Sequence, residues 1–420
     1  MFQSLLNASL TRLFRQTRHG LLIVLPWICT ACEDPQQNSH IAVVNPEEVS
    51  GDRLIQQGKY SRAVEAYKRA VQRQPNNAML QRKLADAYAR DGKYTLALTT
   101  YEEVAVLQPH YPKAQTEQAI VLTRLNRHAE AITLLESVTI SAPDYAWAHM
   151  ALGLLYFRQA EYDLAIAAYQ RAIDSKEDYG EAWYNLGETY VKRSSFAAAE
   201  KAYRNALQAD PTAAKYHSGL GISLLKQRQL EEAISTLQRA LAIDSLHAQA
   251  RFNLGNALLR SGQKDEGRRH LSIFKELENQ EKRLVSLRNA LSKNPDRAEP
   301  YHKLAVLYGQ RGQYEEARIH YLQAVNRDPD FAPAYHNLGN LLLRQRQTES
   351  ALNMFRRAIQ ADSTYALSYL ALGNVLMMRR QFDQALASYQ HGLRFAPDDV
   401  RLQRRVTATR EIIYTSAQSY

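Results

Sequence analysis

The chain has only two cysteines in 420 residues, Cys29 and Cys32, both close to the N-terminus. The remainder cannot be stapled by a disulfide, so its fold must rest on packing alone. Glycine (17) and proline (13) are also scarce, which leaves few places where a helix is forced to stop. No run of five or more like charges occurs, so there is no acidic or basic tail. The sequence has no GxxxxGKS/T phosphate loop, no GxGxxG after a strand, no HExxH and no GxSxG. Those absences remove the common routes to nucleotide, metallopeptidase and serine-hydrolase chemistry. No catalytic residue, cofactor or metal is expected. The longest apolar run, Leu21 to Ile28, holds about eight residues and is too short to cross a bilayer as a helix.

What is present is the composition of a folded, helical protein. Hydrophobic residues make up 45% and charged residues 23%, which argues against disorder over most of the length. A chain this long exceeds one compact core, so it is either several domains or a repetitive array. The formal net charge is +10. Arg12, Arg15 and Arg18 contribute three of those charges before Cys32.

The array is visible at a spacing of 34 residues, with units starting at 44, 78, 112, 146, 180, 214 and 248, then 298, 332 and 366. Position 20 of the ten units is Ala63, Ala97, Ala131, Ala165, Ala199, Ala233, Gly267, Ala317, Ala351 and Ala385. Position 8 is glycine or alanine throughout, position 7 is leucine in eight units, and position 24 is Tyr, Leu or Phe. Proline closes six units, at Pro75, Pro109, Pro143, Pro211, Pro329 and Pro397. Each unit therefore reads as two amphipathic helices crossing closely at small residues, with large residues around the contact and proline ending the second helix. One helical pair cannot bury its own apolar face, so neighbours must stack into a continuous core.

This pattern resembles the tetratricopeptide repeat. Ala182-Trp183-Tyr184-Asn185-Leu186-Gly187, with Tyr190, Ala199, Tyr203, Ala206 and Pro211, lies close to its consensus. The resemblance covers roughly residues 44–399 and implies an all-α solenoid, a right-handed superhelix whose first helices line a concave groove. The expected organisation is repeats 1–7 over 44–281, a helical insertion over 282–297, repeats 8–10 over 298–399, and a capping helix and tail over 400–420. The seventh unit decays, with Gly267 and Phe274 at alanine positions, and Leu277, Leu284 and Leu291 recur every seven residues. That stretch reads as an extended or extra helix, or else as one eroded repeat.

Residues 1–31 read as an export signal: a basic flank, a short apolar core, then Thr30-Ala31 before Cys32. The ending resembles the bacterial lipobox, which implies that Cys32 carries a lipid and that residues 32–43 form a flexible tether. An ordinary signal peptide, an uncleaved anchor, or a Cys29/Cys32 redox pair are the other readings. The lipid reading places the chain on the envelope side of a bacterial membrane and leaves open which membrane.

Two stripes on the first helices are candidates for peptide contact. Asn185, Asn253 and Asn337 at position 6, and Asn256, Asn340 and Asn374 at position 9, offer amides suited to an extended backbone. Arg90, Arg124, Arg158, Lys192, Lys226, Arg260 and Arg344 at position 13 form a basic rail that would attract acidic segments. Met150, Leu154, Phe157, Phe252, Leu259, Leu343 and Met377 lie between the stripes as anchors for apolar side chains, or pack against the neighbouring unit. His302 and His336 share position 5 of adjacent units and could face each other. The expectation is a non-catalytic scaffold for protein segments, tethered to a membrane and active in assembling an envelope complex. The alternatives are an accessory subunit that recruits substrate to a glycosyltransferase, and a basic nucleic-acid binder. Nucleic acid is not the expected partner, and oligomeric state is left open.

Overall fold

A computed structural model of the chain describes residues 45–418, with side chains through residue 415. The expectations for Cys32, the signal and the tether lie outside these residues. Among the described residues there are twenty-one helices and no strand. None of these helices is long and apolar enough to cross a membrane.

The helices come in pairs. In chain order the first four pairs are α1 and α2 (Pro46–Gln56, Tyr60–Arg73), α3 and α4 (Ala78–Arg90, Tyr94–Leu107), α5 and α6 (Pro112–Arg124, His128–Ser141), and α7 and α8 (Ala146–Arg158, Tyr162–Ser175). They continue as α9 and α10 (Gly180–Lys192, Phe196–Ala209), α11 and α12 (Ala214–Lys226, Leu230–Ile243), and α13 and α14 (Ala248–Arg260, Lys264–Lys293). The last three pairs are α15 and α16 (Ala298–Gln310, Tyr314–Arg327), α17 and α18 (Ala332–Arg344, Thr348–Ala361), and α19 and α20 (Ala366–Met378, Phe382–Phe395). Helix α21 (Val400–Gln418) closes the stack, burying Leu402, Val406 and Thr409 against it.

Two local devices recur along the stack. The turn between the helices places position 15 in the left-handed region in every unit, from Gly58 (φ 68°) to Arg380 (φ 59°). The next amide then bonds back across the turn, as in Lys59 N to Leu54 O (2.9 Å) and Gln381 N to Leu376 O (2.9 Å), which satisfies carbonyls that the helix end would leave open. The turn leading into several units is closed by the side chain at position 4, which bonds the carbonyl six residues earlier. Gln81 reaches Pro75 O (2.8 Å), Trp183 reaches Glu177 O (2.9 Å) and Arg251 reaches Ser245 O (2.5 Å). The rings of His149 and His217 bond Pro143 O and Pro211 O in the same way.

The small residues at positions 8 and 20 have separate causes. Position 20 is fully buried in the helix crossing, as Ala63, Ala199 and Ala385 are. Position 8 is the notch that accepts the side chain at position 24. A Cβ on Gly187 would sit 2.7 Å from the Tyr203 ring, and one on Gly373 would sit 2.4 Å from Tyr389. Tyr203 is closed in from the next unit too, since a Cβ on Gly219 would lie 2.5 Å from the same ring.

Helix α14 departs from the pattern. It is 30 residues long, or about 45 Å. Residues 264–277 stand in the second-helix register of the unit that begins at 248. Residues 280–293 stand in the second-helix register of the following stack, since Asn294-Pro295 leads into α15 as Asp328-Pro329 leads into α17. The insertion is thus two second helices joined end to end, with the turn and first helix that normally separate them missing. The second stack is displaced by 16 residues, roughly 24 Å along the axis. The packing that joins α11 to α13 and α15 to α17 has no counterpart of that strength between α13 and α15, and the apolar cluster ending at Leu258 is succeeded by one starting at Leu284.

The notch gives a prediction. Alanine exceeds glycine in helix propensity by about 1 kcal/mol, yet Gly187→Ala will lower stability by about 1–3 kcal/mol through overpacking against Tyr203. Urea melting followed by circular dichroism measures it, and Tyr203→Leu in the same chain will recover part of the loss.

Candidate functional site

The exposed face of the first helices changes chemistry along the stack. At its start the charges neutralise one another. Arg82 Nη1 donates to both carboxylate oxygens of Glu117 (2.8 and 2.9 Å) with both side chains nearly buried, and Tyr111 accepts from its Nε at 3.2 Å. Lys83 bridges Glu48 (2.7 Å) and Asp52 (2.8 Å), and Arg90 pairs with Asp86 (2.8 Å). Fully paired groups of this kind lock side chains in place and leave little charge for a ligand.

From α5 onward the face opens. A cavity of about 410 Å³ lies across α5, α7 and α9, floored by Ile120, Trp147, Met150 and Leu154 and rimmed by Arg124 and Arg158. Lys215 and Glu181 line it as well; Lys215 lies over the rings of Tyr184 (5.2 Å) and Tyr216 (5.3 Å) and pairs with Glu181 at 3.2 Å. A second cavity of about 860 Å³ opens after the long helix, lined by Tyr321, Asn337, Asn340 and Arg344 among others.

The hydroxyls of the position-24 tyrosines tie the core to this face. Tyr67 donates to Asp52 (2.6 Å), Tyr203 to Glu188 and Tyr389 to Asn374 (2.9 Å), each at position 9 of its own unit. Tyr101, whose own position 8 is alanine, donates instead to Glu117 of the next unit (3.2 Å). Tyr169 has Leu154 at the equivalent place, and its fully buried hydroxyl has no partner among the described residues. Burial pushes that phenol well above its ordinary pKa, while Arg158 at the cavity rim pulls the other way.

The asparagines do not form one uniform ladder. Asn185, Asn253 and Asn256 turn their Nδ2 back onto their own helix, to Glu181 O (2.8 Å), Gln249 O (2.8 Å) and Phe252 O (3.0 Å). Asn337 donates to His302 (2.8 Å) and Asn340 to His336 (3.0 Å), while Asn374 spends its Oδ1 on Tyr389. What five of them present is an acceptor oxygen. The histidines do not face each other either. His336 is buried, edge-on to Tyr365 and bonded to Ser368 Oγ (3.2 Å), and burial depresses its pKa to about 4. His302 is depressed for the same reason. Both stand neutral at pH 7. Among the described residues no group of three or more His, Cys, Asp or Glu is placed to hold a metal ion.

The cations at position 13 behave as a set. Each closes its first helix, where the carbonyl end favours positive charge, and each is exposed. Arg90 is neutralised by Asp86, whereas Arg124, Arg158, Lys192, Lys226, Arg260 and Arg344 have no ion pair among the described residues. Of the apolar candidates, Met150 and Leu154 line the first cavity and Phe252 is exposed, resting on Phe274 with centroids 5.0 Å apart. Phe157, Leu343 and Met377 instead pack into the core strip, and Leu259 fills the space beside Gly267. Sequence reasoning passed over Trp147, Tyr184 and Lys215. They occupy positions 2 and 5, whose side chains differ from unit to unit, so no stripe marks them.

A sequence profile described as tetratricopeptide repeat matches residues 49–112, 116–180, 150–214 and 218–272. Related profiles match 287–319, 307–346 and 342–408. No curated protein matches the chain at a significant level. Similar solved structures include YrrB, described as a TPR protein with an unusual peptide-binding site, at 20% identity over 56% of this chain and 96% of that one, with a TM-score of 0.29. MamA from Desulfovibrio magneticus RS-1 is 22% identical over 40% of this chain and 96% of that one, with a TM-score of 0.37. The Cut9–Hcn1 hetero-tetramer of the APC/C is 12% identical over 86% and 95%, with a TM-score of 0.28. At such scores the likeness says nothing of ligands.

The unpartnered phenol and the buried histidine each yield a test. Tyr169→Phe will leave stability within about 0.5 kcal/mol or raise it, because no hydrogen bond is lost, whereas Tyr203→Phe will cost about 1–3 kcal/mol by stranding Glu188. Paired urea melts distinguish the two. For His336, the folded chain binds its proton less readily than the unfolded chain, with a pKa of about 4 against 6.5. Its contribution is therefore complete above about pH 6.5 and falls by roughly 3 kcal/mol as the pH drops towards 4. His336→Gln will remove that part of the pH dependence, as melts at pH 7 and pH 4.5 will show.

Proposed function

Because the chain belongs to the tetratricopeptide-repeat family, we propose that it is a non-catalytic scaffold that holds segments of partner proteins along the shared face of its first helices. Proteins of this family are generally interaction scaffolds. The observation that carries the reading is the row of exposed, unpaired cations at position 13, standing beside an apolar cavity and a series of amide acceptors. Cations without partners attract acidic segments and speed their encounter. The cavity around Met150 and Leu154 gives an apolar side chain a place to desolvate. The asparagine oxygens accept from backbone N–H groups whatever the peptide's sequence.

In the same proposal the scaffold is tethered to a bacterial envelope membrane by a lipid on Cys32, with residues 32–43 giving reach, and serves the assembly of an envelope complex. The Thr30-Ala31-Cys32 ending supports this. Replacing Cys32 with serine is expected to move the protein from the membrane fraction to the soluble fraction, and unchanged fractionation would remove the tether.

The binding reading is tested by crosslinked pull-down from detergent-solubilised membranes, with partners identified by mass spectrometry. Arg124→Glu/Arg158→Glu/Lys192→Glu is expected to recover its partners at roughly tenfold lower yield or less, since reversed charges at a binding rim repel what the originals attracted. Equal recovery by both proteins would place binding away from this face.

A further inference from the structure

Building on the groove reading above, we infer that the rail selects an extended segment of about 13 residues carrying a carboxylate at every third residue, bound from α5 to α13. Five successive first helices, α5, α7, α9, α11 and α13, pack side by side. They end in Arg124, Arg158, Lys192, Lys226 and Arg260, all exposed and all without an ion pair among the described residues. Packed helices stand about 8–10 Å apart, so the rail offers one cation per such step. An extended or polyproline-type chain advances about 3.1–3.4 Å per residue. Three residues therefore cover one step, and a carboxylate at every third residue meets every cation. A spacing of two residues advances only about 6.5 Å and falls out of phase by the second unit.

The structure also sets the ends of the segment. On one side Arg90 is held by Asp86 and unit 1 has Gln56 at the equivalent place. On the other, α13 lacks packing on α15 of the strength that joins α11 to α13, and position 13 of the next unit is Gln310. Four steps of three residues join five carboxylates, which makes about 13 residues. The cavity lined by Trp147, Met150 and Leu154 also has Arg124 and Arg158 in its wall, so an apolar residue between the first two carboxylates finds a place to bury. Charge density favours a peptide over a nucleic-acid strand. Phosphates recur about every 3.4 Å along each strand of a duplex, two or three for each cation of the rail.

The test uses the full-length chain in detergent at low salt and fluorescence anisotropy of labelled 13-residue peptides. One has glutamate at residues 1, 4, 7, 10 and 13 with leucine at residue 3. The other has the same composition with glutamate at every second residue. The first is expected to bind at least tenfold more tightly. Arg158→Glu or Lys192→Glu should abolish that preference, and Arg158→Lys should retain it. Arg260→Glu should weaken the 13-residue peptide but not its first ten residues. Equal binding of both peptides, each weakened by Arg158→Glu, would overturn the spacing while leaving an acid-binding scaffold. Failure of both peptides to bind would overturn the inference outright, the groove reading being judged separately by its own pull-down. An oligothymidylate that binds more tightly than either peptide, and is lost in Arg158→Glu, would overturn it in favour of nucleic acid.

Discussion

The contact on which the molecule depends is the side chain at position 24 lying in the notch over position 8. Wherever that notch is glycine, a Cβ there would come within 2.4–2.8 Å of the ring or leucine it receives, closer than packed atoms approach. The size of the notch thus fixes how near the two helices of a unit can come. The second helix then sets where the next first helix lies, so the contact is passed from unit to unit. Glycine's poor helix propensity is a local cost, offset by burying a whole tyrosine, leucine or phenylalanine side chain.

The same contact links core to surface. A tyrosine seated over glycine sends its hydroxyl to position 9 of its own first helix, and one seated over Ala85 sends it to the following unit. Position 9 is thereby partly claimed by the core, as Glu188 and Asn374 show. Where it is Leu154 the claim lapses, and the face there is an apolar cavity. The graded surface follows: paired charges over the first units, an apolar depression with bare cations in the middle, then amides and neutral histidines after the long helix. From α5 to α13 the rail keeps its character because position 13 ends the first helix and answers to its terminal carbonyls rather than to the core.

The repeat architecture was legible because a core position admits few residue types. Alanine at position 20 and glycine or alanine at position 8 recur on sight. The position-4 staple escaped notice because it requires only a donor of the right reach, which Gln81, His149, Trp183 and Arg251 all supply. The left-handed turn was hidden likewise, since only four of its ten residues are glycine and Ala160, Arg228 and Arg346 stand where glycine would be looked for. Asparagine hydrogen bonds depend on what lies one turn away, so the series at positions 6 and 9 looked uniform while its members do different things. The breakdown near residue 267 was visible as lost alanines. That it fuses two second helices emerges only from the register of residues 280–293 against α15.

The fusion in α14 also bears on how the molecule comes apart. In a stacked array, cooperativity comes from the interfaces between neighbours more than from each unit alone. Ordinary neighbours share two such interfaces, first helix on first helix and second helix on the next first helix. Across α14 the former loses its strength, and one continuous helix carries most of the coupling between the two stacks. Thermal or mechanical load will therefore find the boundary there, and each stack is free to open while the other stays folded.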